Sequence, residues 1–196
     1  MMKRTIIGWL FMCFVIAVSA QNLKFKDGKF KIIQFTDLHY KLGNPASRQA
    51  TDCLYEIVKA EQPDLIILTG DVIYSKPGDM CLQQILNIMS DLKVPFCYLL
   101  GNHDPEQGTP VSQLYDQAQQ NAYCVQPKRN GNALDFALPI KSSDGAKTAA
   151  VIYGMDTHEY CKMPGVGGYQ WLTWNQIGRY RNWAASFKRE NGGKPI

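Results

Sequence analysis

The chain has 196 residues, 45% of them hydrophobic and 19% charged, with a formal net charge of +4. That composition excludes a disordered chain, a collagen-like repeat and a coiled coil. Six cysteines in this length are too few for a small disulfide-stapled scaffold.

The chain opens with a positive start, Met1-Met2-Lys3-Arg4, followed by an apolar run over 6–18 and the small residues Val18-Ser19-Ala20. This is the three-part pattern of a secretory signal and is short for a membrane span. The expectation is a signal peptide over 1–20, cleavage near Ala20 and export to the periplasm or exterior; the alternative is an N-terminal anchor. Losing Lys3 and Arg4 lowers the formal charge from +4 to +2. No basic stripe then points to nucleic acid, and no second apolar run suggests a stable membrane span. Five cysteines follow the leader (Cys53, Cys81, Cys97, Cys124 and Cys161). Their wide spacings resemble no zinc knuckle. Core packing suits most of them, Cys97 above all, although an exported protein could pair four.

Residues 21–196 fit one domain. The pattern predicts a strand over 30–35, then an amphipathic helix over 46–61 that Gln62-Pro63 stops. A continuous apolar run at 64–68 predicts a strand covered on both faces. A helix follows over 79–92, with Leu82, Ile85, Leu86 and Met89 at helical spacing, and then a third buried strand over 95–100. This β-α-β-α-β order implies an α/β fold with a parallel sheet flanked by helices. The second half is less regular. A helix is predicted over 109–120, strands over 121–125, 131–138 and 148–153, a glycine-punctuated loop over 161–168, and a final helix over 173–189 capped by Thr173. The near-helical spacing of Trp174 and Trp183 places both in the core.

Each of the first three strands ends in a polar cluster: Asp37-Leu38-His39, then Gly70-Asp71, then Gly101-Asn102-His103-Asp104. In parallel sheets, ligands bind beyond the carboxyl ends of the strands, so these clusters should converge on one edge. Gathered carboxylates, imidazoles and amides call for a cation, and this oxygen and nitrogen mix suits Mn, Fe, Zn or Co better than Ca.

These ordered clusters resemble the D-x-H, G-D and G-N-H-[DE] motifs of the calcineurin-like metallophosphoesterases. Phe35-Thr36-Asp37-Leu38-His39-Tyr40, Pro63-Asp64-Leu65-Ile66, Gly168-Tyr169-Gln170-Trp171 and 173–180 further resemble an exported branch related to purple acid phosphatases. The resemblance covers about 29–190 and implies a sandwich of β-sheets flanked by helices. It also implies hydrolysis of phosphoric esters by a metal-bridging hydroxide at a dinuclear site. Asp37 and His39 would bind the first of two transition-metal ions (Mn, Fe or Zn), and Asp71 would bridge both. Asn102 would bind the second through its side-chain oxygen. His103, oriented by Asp104, would face the substrate and protonate the leaving oxygen.

The family's last two motifs, a lone His and G-H-x-H, have no counterpart here. After His39 and His103 the only histidine is His158, in Met155-Asp156-Thr157-His158-Glu159-Tyr160. The second-metal site is therefore incomplete, and the chain reads as an N-terminal portion of a longer enzyme or as a short form. The alternative function is a catalytically inactive binding protein on the same fold. Tyr74 gives G-D-x-x-Y, so it is either an iron-binding tyrosinate or an ordinary aromatic. His158 is either a surface loop residue, the commoner case, or part of the cleft wall.

Overall fold

The computed structural model describes residues 23–129, 131, 133–194 and 196; the leader and Cys13 lie outside them. Three strands, β1 (Ile32–Phe35), β2 (Leu65–Thr69) and β3 (Phe96–Leu99), form a parallel sheet in that order. Ile33 pairs with Ile66, and Ile67 with Cys97. The crossovers are α1 (Pro45–Glu61) and α2 (Gly78–Leu92). Asn44 caps α1, accepting the Ala46 N–H at 2.9 Å, with Pro45 at the first helical position where its missing N–H costs nothing. Gln62 ends α1 in the left-handed region, returning its N–H to the Val58 carbonyl. A single 3₁₀ turn (Pro105–Gln107) and α3 (Val111–Gln119) follow β3.

The sheet separates two cores. On one face, Leu54 and Val58 of α1, Ile85 and Met89 of α2, and Leu114 of α3 bury Ile66, Leu68, Phe96 and Tyr98. On the other face, Leu65 and Cys97 meet an antiparallel hairpin of β4 (Phe136–Lys141) and β5 (Thr148–Gly154) through Phe136, Leu138 and Ile140. Each such side chain contributes about 1.5–3 kcal/mol by leaving water. Outside the hairpin lies α4 (Trp174–Glu190), where Tyr180 and Trp183 pack against Tyr153 with ring centroids 4.9 and 6.5 Å away. The chain is thus a layered α/β sandwich, as its pattern predicts. In β2 Leu65, Ile66 and Leu68 are fully buried, whereas β1 lies at the sheet edge and leaves Ile32 42% exposed. No helix among the described residues is long and apolar enough to cross a membrane.

Three local expectations are corrected. Residues 121–125 form a turn with one bridge to Phe96, because Asn121 closes on itself. Its Oδ1 accepts the Tyr123 N–H at 3.0 Å and its Nδ2 donates to the Leu86 carbonyl at 2.8 Å. The strand expected over 131–138 starts only at Phe136, after Asp135 is drawn aside by Arg179 at 2.6 Å. Trp174 is 84% exposed, since the first turn of α4 extends past the hairpin. The five described cysteines are unpaired; Cys81 and Cys97 are buried as expected, while Cys53 is exposed.

Candidate metal centre

The loops leaving β1 and β2 stay paired beyond the sheet. Asp37, His39 and Tyr40 donate their N–H groups to the carbonyls of Gly70, Asp71 and Val72 at 3.1, 2.9 and 2.9 Å. Asp37, His39 and Asp71 all have left-handed backbones, with φ of 54°, 42° and 50°. Non-glycine residues adopt that region at a cost and concentrate at functional sites. Here it turns three side chains toward one point, with their ligand atoms all within 4.8 Å of one another. His39 Nε2 lies 3.7 Å from Asp37 Oδ1 and 4.0 Å from Asp71 Oδ2, beyond hydrogen-bonding distance. Among the described residues no lysine or arginine pairs with either carboxylate. Two carboxylates and an imidazole that converge without satisfying each other fit a transition-metal ion.

Two glycines permit this convergence. A Cβ on Gly70, which has a φ of 90°, would lie 2.8 Å from the Gly101 backbone, and one on Gly101 would strike the Asp71 carboxylate and amide. The G of G-D and the G of G-N-H-D are therefore both needed for close approach, and Gly70 for its left-handed turn as well.

Asp104 does not orient His103, contrary to expectation. Its fully buried carboxylate accepts four backbone N–H groups: Gly101 at 2.7 Å, Val72 at 2.8 Å, Ile73 at 3.0 Å and Asp71 at 3.1 Å. It ties the β2 and β3 loops together. Burial pushes its carboxyl up to about 6 despite these donors. Glu106 takes the position expected of Asp104: its Oε2 lies 2.7 Å from His103 Nδ1. That bond, the largest influence on the ring, holds His103 above its ordinary value. The 3₁₀ turn that begins at Pro105 carries Glu106 back to the His103 ring, while Asp104, at its N-cap, faces inward.

Glu106 also organises the neighbouring loop. Its Oε1 accepts the Tyr160 hydroxyl at 3.0 Å, and that hydroxyl accepts Asn102 Nδ2 at 3.2 Å. The NH₂ of Asn102 is thus turned toward Tyr160. The His103 N–H donates to Asp71 Oδ1 at 2.9 Å. Tyr74 packs edge-on against His39 and His103 at 4.8 and 5.1 Å, so it belongs to the site and not to the core. Lys41 lies over the same ring at 4.9 Å.

A cavity of about 270 Å³ is lined by Asp37, Asp71, Asn102, His158 and Gln170. His158 is an exposed loop residue, as sequence favours, and it also stands on the cleft wall. Its Nδ1 lies 3.2 Å from Asp156 and its Nε2 3.1 Å from Gln176 Oε1. Gln176, only 2% exposed, also bonds Asp135 and caps α4 with Thr173. This links α4 to the site, a connection with no motif in the sequence.

The calcineurin-like phosphoesterase model matches residues 30–191, and the chain belongs to that family. It is 26% identical to probable inactive purple acid phosphatase 29 of Arabidopsis thaliana, over 92% of this chain and 54% of that protein. It is 25% identical to phosphatase DCR2 of Saccharomyces cerevisiae, over 88% of this chain and 35% of that protein. A probable cyclic nucleotide phosphodiesterase of Psychrobacter arcticus matches 40% of the chain at 32% identity. The chain spans about half the length, or less, of the relatives that match most of it.

Proposed function

We propose that this chain carries the metal-binding half of a phosphoric-ester hydrolase. The observation behind this reading is the Asp37, His39 and Asp71 cluster beside His103, itself held by Glu106. Asp37, His39 and Asp71 would hold the first ion, and Asp71 with Asn102 would contribute to the second. Bound metal would neutralise phosphoryl oxygens and lower the pKa of a water. The chain's own residues supply the rest. Glu106 holds the His103 ring beside that of His39, 5.5 Å away, and favours its protonated form, which would suit it to protonate a departing alkoxide. Asp104 holds the Asp71 and Gly101 backbones in place, a positioning task. Full activity then belongs to a longer polypeptide that completes the second ion's ligands, consistent with relatives about twice this length. Export after cleavage near Ala20 belongs to the same reading, and the mature N-terminus would be Gln21.

A second reading, a binding protein without catalysis, is favoured by the printed names of two Arabidopsis relatives, which include "inactive". The two readings part in one experiment. Mn²⁺ or Zn²⁺ at about 100 times its Kd should raise stability by about 2.7 kcal/mol, and Asp71→Asn should erase that gain. Metal-dependent release of phosphate from an aryl phosphate, lost in Asp71→Asn, would establish hydrolysis. Metal uptake without turnover in the native full-length protein would favour the binding protein.

A further inference from the structure

A second, larger cavity of about 410 Å³ adjoins the metal centre. The two cavities share Leu100, Gly101, His158 and Gln170 as walls, so they are contiguous. Tyr160 stands at the partition. It lines the larger cavity, while its hydroxyl bonds Asn102, which lines the smaller one.

Their chemistry differs. The smaller cavity is lined by the Asp37 and Asp71 carboxylates of the metal centre, with Asn102 and His158. The larger has apolar walls from Leu100, Pro105, Val111 and Leu134, with Asp156, Glu159 and Lys162 at its rim. Asp156 is already engaged by His158 at 3.2 Å. That leaves one carboxylate and one ammonium, with no surplus of positive charge to hold a second phosphate. The volume is near the lower end of the roughly 300–1,000 Å³ typical of ligand pockets, enough for one compact group and too small for a folded peptide.

We propose that the larger cavity receives the alcohol part of the ester, and that the substrates are phosphoric esters of compact, uncharged, ring-bearing alcohols. This rests on the reading of the smaller cavity as the phosphoryl site. Phosphorus would sit beside Asp71 and Asn102, the ester oxygen would point past Tyr160, and the ring would lie against Leu134 and Val111. Polyphosphate leaving groups are disfavoured because Glu159 offsets Lys162 and leaves no net positive charge to hold them.

The test is a titration of the metal-free chain with benzyl alcohol and adenosine, followed by amide ¹H–¹⁵N NMR. Saturable shifts are expected at Val111, Leu134 and Tyr160 with a Kd of about 1 mM or tighter. Val111→Trp, which fills the cavity, should weaken binding about 10-fold or more, while Asp71→Asn should leave it unchanged. If Val111→Trp does not fold, the shift map of the unaltered chain decides alone. Shifts elsewhere on the surface, or none up to about ten times that concentration, overturn the proposal. Metal uptake by the unaltered chain without probe binding sinks this inference only. Probe binding at the cavity without metal uptake leaves the cavity's ligand class standing and sinks the phosphoesterase reading.

Discussion

The two edges of the parallel sheet are built on opposite plans. At the amino edge the carboxylates that flank the start of β2, Glu61 and Asp64, each have a lysine partner. Asp64, just before β2, accepts Lys26 Nζ at 2.6 Å and the Lys31 N–H at 2.9 Å, while Lys31 Nζ reaches Glu61 at 3.1 Å. At the carboxyl edge Asp37 and Asp71 face each other and His39, without a lysine or arginine partner among the described residues. Left-handed non-glycine residues occur at both edges: Asp37, His39 and Asp71 at the carboxyl edge, and Gln62 and Lys93, which end α1 and α2, at the amino edge. One edge is satisfied by its own residues. The other keeps acceptors gathered at a cost, which is the arrangement expected where an external cation supplies the missing charge.

The largest expected effect comes from removing what holds the carboxyl edge together. Asp104→Asn keeps one acceptor oxygen but turns an NH₂ toward two of the four backbone N–H groups. Leaving two buried donors unpaired costs about 1–3 kcal/mol each, partly offset because a buried charge is also removed. A net loss of about 2–4 kcal/mol should appear as a lower urea midpoint at unchanged m. A variant as stable as the parent would mean that Asp104 is not the clamp. Gly101→Ala comes next. Its methyl group would strike Asp71, so about 1–3 kcal/mol of stability is expected to go, together with about 10-fold in metal affinity. Melting curves and a Mn²⁺ titration check both, and an alanine accepted without loss in either would show that the loops do not require this close approach.

These two predictions also mark where the sequence stops being informative. The apolar run of β2 and the helical spacing of Leu82, Ile85, Leu86 and Met89 specify buried elements, because burial alone decides them. Strand order then brings Asp37, His39 and Asp71 to one edge, so the cluster is legible once the sheet is parallel. The partner of His103 is not. The family resemblance implies Asp104, but its side chain turns inward to backbone donors, and only the 3₁₀ turn at Pro105 reveals Glu106. Tyr160, 58 residues from Asn102, depends on how the 157–170 loop returns over the sheet, which no local pattern records. Trp174 shows the converse failure. Spacing alone assigns it to the core, while the position of α4 against the hairpin leaves it in solvent.

The amino edge offers the smallest effect and the cleanest control. Burial raises the Asp64 carboxyl, but bonds from Lys26 and the Lys31 N–H outweigh it and hold the group below its ordinary 3.8. A carboxylate with a lowered folded value stabilises the fold above 3.8, and that contribution fades as pH falls through the folded value. Asp64→Asn retains an acceptor for the Lys31 N–H and removes only the charge. Its loss at pH 7 should therefore be about 1 kcal/mol or less, as for other solvent-facing pairs. The gap to the parent should close as pH drops below 3.8, and metal should stabilise both proteins equally. A metal response that differed between them would mean that the two edges are coupled through the sheet, and the separation between a self-satisfied edge and a cation-seeking edge would fail.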